Sequence, residues 1–585
     1  MDRKRESKSS SEDSSQPPTS AAPGEKGNKV VDNTTPPVEP EYTTGLPLIT
    51  GVASLTLVIY LMLLDTSIVS TAIPRITSDF HSLDDVGWYG TAYLVACCSV
   101  QPLTGKMYTY FNSKWTFIGF FTVFEIGSAV CGAAQSSNML IVGRALAGSG
   151  ASGLLNGAFT IMHASIPAKQ VPALLGILMG LTQLGLLSGP LIGGALTQLA
   201  SWRWCFYINL PCAALIYPAL YVIRIRDGRT ADAKVQSVTT SLRQLDFPGF
   251  ALFTVATIQL LFALNWAGTS YAWNSATIIG LLCGAGGTFI IFFAWESYVG
   301  PGAMIPLSLV RQRTIWTSCL NYALLVGSTL CCTYYLPIYF QAVRDFSPTK
   351  SGVGLLPSII PAILFSMIAG LLVGHYLPFA VASGAIHTVG TALLITLAPT
   401  TASKNWISFQ VIQGIGRGLG MSMPLLAVQL STPQELNPIA TGLIVLAQSF
   451  GGTIFLSICQ VVFSQVLERG LERYAPGVEV GVVVAAGAGA VREAVDVDIL
   501  PGVLRAYNAA VVQVMYVATG AAAGALLFAF GMGWLNVQDR RMEMREEVKM
   551  EMQKQKESME GGLSAGLVGK ALVNTGLVVE QRPTQ

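Results

Sequence analysis

Apolar runs of about 20 residues recur along almost the whole chain, and they restrict its fold more than any other feature. A helix needs about 20 apolar residues to cross the roughly 30 Å hydrocarbon core of a bilayer. Fourteen such runs lie between residues 47 and 535, separated by short polar breaks. Only 12% of the residues are charged, whereas a soluble domain carries about 25%. The sequence therefore predicts an all-α polytopic membrane protein with fourteen transmembrane helices.

An internal repeat relates the two ends of this helical region. A gap-free shift of 266 residues superposes Gly148 on Gly414, Pro167 on Pro433 and Gly185 on Gly451. Parallel repeats of this kind are common in secondary transporters, whose substrate site lies between the halves. The repeat predicts two six-helix halves with two inserted helices between them.

The polar breaks and tails divide the chain into segments. Residues 1–45 are rich in Ser, Pro, Lys and Glu, and we expect a disordered tail because so little apolar surface can be buried there. The breaks on the tail side carry ten Lys and Arg residues and the opposite breaks five, so the positive-inside rule places both termini in the cytoplasm. The predicted segments are the tail at 1–45, the first half at 46–224, a cytoplasmic loop at 225–246, the inserted helices at 247–297, the second half at 298–536 with a long outer loop at 466–508, and a cytoplasmic tail at 537–585.

Several classes of function leave no trace in the sequence. The ten cysteines lack the spacing of metal ligands, and no phosphate-binding loop indicates ATP as an energy source. A net charge of +2 gives no sign of a nucleic-acid partner. No catalytic constellation is visible, so we expect neither an enzyme nor a metal or cofactor site.

Few ionisable side chains lie within the apolar runs, and each needs a reason because burying a charge in a bilayer costs at least ~2.5 to 3.5 kcal/mol. Asp65 in the first run and Arg144 in the fourth are expected at similar depth and can pair. A carboxylate whose partner can be withdrawn changes its affinity for protons, which a proton carrier requires. The alternative is a static ion pair. Glu125 in the third run is either a second protonation site or a neutral, buried carboxylic acid.

Glycines recur every fourth residue in the fifth run, at Gly185, Gly189 and Gly193. On a helix they form a smooth stripe that lets a second helix approach closely, and Pro190 removes a backbone donor beside it. We expect this helix inside the bundle rather than facing lipid tails. The alternative is a packing face with no further role.

Uncharged polar side chains are scattered over the runs expected to face the centre. Amides among aromatic residues suit a bulky, largely apolar ligand with a few polar groups, although such residues also join helices to one another. The candidate substrate-cavity residues are Asn156, Gln183, Asn321, Gln410, Gln413 and Arg417. His387, a lone histidine in the eleventh run, is more typical of a neutral core residue.

Several motifs together resemble the major facilitator superfamily. The sequence GLLSGPLIGG at 185–194 resembles its antiporter motif, and LDTSIVSTAIP at 64–74 resembles the first-span motif of its fourteen-helix drug:proton antiporters. FEIGSAVCGA at 124–133 and GRGLGM at 416–421 are similar to fungal members, several of which export toxins and other secondary metabolites. One motif departs: the loop after the second run, GKMYTYFNSK at 105–114, lacks the acidic residue and arginines usual in the superfamily.

The resemblance implies a major facilitator fold and roles for particular residues. Asp65 and Arg144 would couple transport to protons, and Gly189, Pro190, Gly193 and Gly194 would form a tight bend against which the halves close. The implied protein is a monomeric, proton-coupled antiporter in the cell membrane that exports a hydrophobic toxin, metabolite or drug. A vacuolar or siderophore carrier of the same fold and a non-transporting membrane sensor remain open alternatives.

Overall fold

The computed structural model describes residues 45–81, 85–166, 170–222, 237–268 and 271–537, with isolated positions beyond 538. The tail at 1–44, most of the loop at 225–246 and nearly all of the tail at 537–585 lie outside the described residues, and so do the predictions made for them.

Long α-helices make up almost all of the described chain. In the first part these are α1 (Leu46–Phe80), α2 (Val86–Tyr110), α3 (Ser113–Gly132), α4 (Ser137–Ser165), α5 (Val171–Leu199), α6 (Trp204–Tyr207) and α7 (Asn209–Val222). Then follow α8 (Val238–Arg243), α9 (Phe247–Trp266), α10 (Ala276–Val299) and α11 (Leu307–Val310). The remainder are α12 (Arg313–Ile338), α13 (Pro348–Val353), α14 (Leu356–Leu372), α15 (Tyr376–Leu394), α16 (Ser403–Gly420), α17 (Met423–Ser431), α18 (Asn437–Tyr474), α19 (Val480–Ala494) and α20 (Leu500–Ala529).

Twelve helical segments of the described chain are long and apolar enough to cross a membrane. The protein is therefore a multi-pass membrane protein, but the predicted count of fourteen exceeds this number. Helices α2 and α4, with 25 and 29 residues, are long enough but are not among the twelve. Most residues of α4 are buried, many of them Gly, Ala or Ser, and a helix enclosed by protein does not need a strongly apolar surface.

The helix boundaries follow the 266-residue shift. Ser137 and Ser165, the ends of α4, coincide with Ser403 and Ser431, which bound α16 and α17 together. Val171 at the start of α5 coincides with Asn437 at the start of α18. Related pairs also pack alike: α1 lies against α5 and α12 against α18, while α2 contacts α18 and α5 contacts α14.

Prolines explain why two predicted spans are interrupted. Pro211 cannot donate to the carbonyl of Tyr207, so α6 ends there and α7 begins at Asn209. Pro424 has the same effect between α16 and α17. A third proline, Pro337, precedes a π-helical turn at Tyr339–Val343.

Two predicted boundaries differ from the structure. The first apolar run, expected to end near residue 72, continues as α1 to Phe80. The predicted long outer loop at 466–508 is largely helical, since α18 runs to Tyr474 and α19 spans Val480–Ala494. Arg492 of α19 donates to the carbonyls of Ala342 and Val343 at 3.2 and 3.0 Å, which ties this segment to the π-helical turn.

The described bundle has two faces. We call the face with the start of α1 and the end of α20 the terminal face, and the opposite one the far face. At the terminal face a Cβ on Gly105 would lie 2.8 Å from the Cα of Ile439, and Ser366 Oγ of α14 donates to Gly176 of α5 at 3.1 Å. These contacts join the two repeats closely at that face.

Candidate functional site

Asp65 and Arg144 form an ion pair inside the first repeat. Arg144 Nη1 lies 2.5 Å from Asp65 Oδ2, and both residues are 1% exposed. Arg144 Nε also donates to the carbonyl oxygen of Tyr89 at 2.9 Å. The guanidinium lies over the ring of Tyr93 at 4.5 Å from its centroid, so it has polar, ionic and cation–π partners.

Asn209 adds an amide to this pair, and sequence reasoning did not single it out. Its Nδ2 lies 3.5 Å from Asp65 Oδ1 and 3.1 Å from Ser128 Oγ. The residue opens α7 immediately after the break that Pro211 imposes, which points it towards α1 and α3. The sequence WRWCFYINLP at 202–211 could have identified Asn209, because an Asn two residues before a helix-breaking Pro indicates a polar group at an interrupted helix.

Glu125 lies one helical turn before Ser128 on α3. It is 5% exposed, and neither carboxyl oxygen has a hydrogen-bond partner among the described residues. Asp65 of α1 is close enough to act on it electrostatically. Two acidic side chains thus lie near each other, but only Asp65 has a basic partner. A carboxyl group without a partner is far less costly to bury when it is protonated.

The glycine stripe of α5 packs against α1 of the same repeat. A Cβ on Gly185 would lie 2.5 Å from the carbonyl oxygen of Tyr60, and one on Gly189 would meet Ser67 Oγ and lie 2.9 Å from the nitrogen of Ile68. A Cβ on Gly193 would meet Thr71 and the carbonyl oxygen of Ile68, whereas a Cβ on Gly194 would have nothing within 4 Å.

The glycine stripe therefore holds α5 against the helix that carries Asp65. The side chain of Pro190 is exposed. Helix α5 also contacts α13 and α14 of the second repeat; near the terminal face, a Cβ on Gly370 of α14 would contact the carbonyl group of Pro172. That the motif forms a bend against which the halves close stays a prediction.

Lys106 lies in the segment 105–114, which lacks the acidic residue and arginines usual in the superfamily. The side chain is 1% exposed, and its Nζ donates to the carbonyl oxygens of Gln244, at 3.0 Å, and Gly302. Asp246 and Glu296 supply negative charge around it. Lys106 therefore ties α2 to the segments before α9 and after α10, the inserted helices.

The candidate cavity amides are not brought together at one place. Three of them join helices: Asn156 donates to Thr104 Oγ1 at 2.9 Å, Asn321 to the carbonyl oxygen of Ala525 at 2.6 Å, and Gln410 to that of Gly354 at 3.0 Å. Gln183 is half-buried on α5. Gln413 and Arg417 share one face of α16 in the second repeat, four residues apart.

The sequence profile of the Major Facilitator Superfamily matches residues 55–456, which include the buried ion pair, most of the first repeat and the second repeat as far as α18. The chain belongs to the Major Facilitator Superfamily. It is therefore a membrane transporter and not an enzyme. The superfamily assignment agrees with the helical fold and the packing of related helices described above.

Similar proteins within this superfamily come from fungi. The chain is 50% identical over 499 residues to "MFS-type transporter pigP" of Monascus ruber, covering 85% of this chain and 88% of that protein. It is 47% identical over 508 residues to "Efflux pump mlcE" of Penicillium citrinum, covering 85% and 92%. Among solved structures, the proton:xylose symporter XylE shares the fold with a TM-score of 0.53 and 13% identity, covering 84% of this chain and 97% of that one.

Proposed function

We propose that this transporter is a proton-coupled efflux pump for a hydrophobic small molecule. The observation that carries the proposal is the ion pair of Asp65 and Arg144, buried inside a repeat that has no other acidic–basic contact of this kind among its described residues. Ionisable groups within membrane spans are costly, and they mark ion or substrate pathways. Relatives named as efflux pumps support export rather than uptake.

In the proposed cycle, Asp65 gains a proton from the far face and loses it to the terminal face. Protonation removes the attraction between Asp65 and Arg144, so the ion pair can open when the bundle changes conformation. Asn209 holds the other carboxylate oxygen, and Glu125 offers a second carboxyl group nearby. Substrate and proton exchange by altering the relative stability of two conformations of the same helices.

The proposed topology has fourteen crossings, with α2 and α4 enclosed by the twelve more apolar segments. Two six-helix repeats would move about a central site, and α9 and α10 would form the inserted pair. The excess of Lys and Arg on the terminal-face breaks supports a cytoplasmic terminal face. We place the protein in the cell membrane as a monomer. The contacts of Gly105 and Ser366 then correspond to a conformation closed towards the cytoplasm.

Asp65→Asn tests the coupling. The purified full-length chain is reconstituted with an imposed pH gradient, and efflux of a panel of hydrophobic fluorescent dyes is followed together with lumenal pH. We expect loss of dye-coupled proton movement, whereas Asp79→Asn at the half-exposed far end of α1 retains it. Coupled transport by Asp65→Asn at the wild-type rate would refute the proposal.

A double variant separates the loss of coupling from a loss of folding. Asp65→Asn leaves Arg144 as an unpaired buried charge, which costs about 3–5 kcal/mol. The double variant Asp65→Asn, Arg144→Gln removes both charges, and we expect it to regain thermal stability without regaining coupling.

Glu125→Gln retains coupling if Glu125 is only a neutral core residue, and lowers the number of protons moved per dye if it is a second site.

A further inference from the structure

Arg417 is a buried guanidinium in the second repeat that has no acidic partner among the described residues. It is 3% exposed and lies three residues before the end of α16, near the middle of the crossing that α16 and α17 form together. Its Nη2 has no hydrogen-bond partner among the described residues, and none of the ion pairs found there includes it. Buried charges are normally paired because an isolated one is strongly destabilising.

The sequence of the second repeat offers no counter-charge within reach. Helices α12, α14, α15, α16, α17 and α20 contain no Asp or Glu at all. The acidic residues of α18, Glu468 and Glu472, lie near its far-face end, more than 30 residues after it begins. The first repeat is different, because its buried arginine, Arg144, has Asp65.

Cys332 of α12 and His387 of α15 lie near enough to Arg417 to interact with it electrostatically. His387 Nδ1 lies 3.2 Å from the carbonyl oxygen of Gln413, which can only accept, so Nδ1 carries a proton. His387 Nε2 lies 3.0 Å from Ser328 Oγ and can accept from that hydroxyl group. The histidine is thus satisfied as a neutral ring and brings no negative charge to Arg417.

A second polar group lies one helical turn away on the same face of α16. Gln413 is four residues before Arg417, is 2% exposed, and its Oε1 has no partner among the described residues. Gln410, one turn further, also has an unpartnered Oε1, although its Nε2 donates to Gly354. Arg417 and these amides form a polar strip, which we call the α16 strip, along the buried face of that helix.

We propose that the α16 strip binds the acidic group of the transported molecule, and that the substrates are hydrophobic small molecules bearing a carboxylate. This rests on the proposed function as an exporter and adds the chemical class of its cargo. Arg417 pairs with the carboxylate, and Gln413 can rotate its amide to donate to one of the two oxygens. The ligand then supplies the counter-charge that Asp65 supplies to Arg144. A neutral analogue leaves the guanidinium unpaired and binds less well.

The test compares acids with their uncharged analogues on the purified full-length chain. The probes are 1-pyrenebutyrate and 1-adamantaneacetate, each with its primary amide, and the readouts are thermal stabilisation and ligand affinity. We expect the wild type to bind at least one acid about tenfold or more tightly than its amide, which corresponds to about 1.4 kcal/mol. Equal binding of acid and amide, or binding of neither acid, overturns the proposal.

Variants at Arg417 decide between a ligand site and a structural role. Arg417→Gln should lose the preference for the acid, Arg417→Lys should keep part of it, and Arg492→Gln on α19 should keep all of it. Arg417→Met should leave the ligand-free protein at least as thermally stable as the wild type, because it removes an uncompensated buried charge. A lower melting temperature for Arg417→Met together with an unchanged acid preference in Arg417→Gln would show a purely structural arginine.

Failure of this proposal can be told apart from failure of proton coupling. Asp65→Asn shifts the balance of conformations and so both affinities, but it should keep the ratio of acid to amide affinity, since Asp65 lies in the other repeat. Acid-selective binding without any proton-driven efflux in the wild type would reject proton coupling but support the α16 strip as a carboxylate site. Proton-driven efflux of neutral dyes alone, without a preference for acids, would support proton coupling but reject the α16 strip as a carboxylate site.

Discussion

Gly189 and Gly194 allow a matched test of how α5 packs on α1, because they lie in the same motif with opposite surroundings. A Cβ on Gly189 would lie 2.8 Å from Ser67 Cβ and 2.9 Å from the backbone nitrogen of Ile68, and it would collide with Ser67 Oγ. A Cβ on Gly194 would meet nothing within 4 Å. Gly189→Ala and Gly194→Ala add the same methyl group to the same helix.

The expected size of the effect follows from these distances. An ordinary van der Waals contact begins near 3.4 Å, so α1 and α5 must be pushed apart at the Ile68 nitrogen, at 2.9 Å, by about half an ångström. Overpacking of this kind costs about 1–3 kcal/mol. Asp65 precedes Ser67 by only two residues on α1, so the same displacement moves its carboxylate relative to Arg144. A bond of 2.5 Å cannot tolerate that shift without weakening.

Both variants are reconstituted as full-length chains and assayed for pH-driven dye efflux and for thermal unfolding. We expect Gly189→Ala to lose most of its efflux and to melt several degrees lower, while Gly194→Ala stays within error of the wild type. Equal damage from both substitutions, or full activity of Gly189→Ala, would refute the argument that the close approach of α1 and α5 positions the ion pair.

Two other contacts can be tested in the same assays. Lys106→Met leaves Asp246 and Glu296 without their cation and removes two hydrogen bonds. We therefore expect the free energy of unfolding to fall by about 1.5–3 kcal/mol, seen as a lower melting temperature. An unchanged melting temperature would show that the inserted helices do not depend on Lys106. Asn209→Leu removes an amide that donates to the Asp65 carboxylate and to Ser128, so we expect slower pH-driven efflux. Asn508→Leu, which breaks a far-face contact with Leu397, should leave the efflux rate unchanged.

Sequence alone gave the class of this protein and much of its helical plan. Runs of about 20 apolar residues have few alternatives to membrane helices, and the 266-residue repeat predicted equivalent helices whose boundaries coincide at Ser137 and Ser403. The predicted count of fourteen crossings exceeds the twelve described segments that are long and apolar enough, since α2 and the largely buried α4 are not among them. The extension of α1 to Phe80 was missed, since helix length depends on neighbours as well as on composition.

Tertiary structure alone decided which polar groups meet. Asp65 and Arg144 are 79 residues apart, and only the packing of α1 against α4 brings them to 2.5 Å. Asn209 joins them through a helix break, while Asn156, Asn321 and Gln410 prove to link helices. That Arg417 Nη2 has no hydrogen-bond partner among the residues the structure describes is likewise a property of the packed bundle. A sequence fixes which residues lie on one helix, but the rotation and approach of neighbouring helices determine whether a buried charge finds its counter-charge.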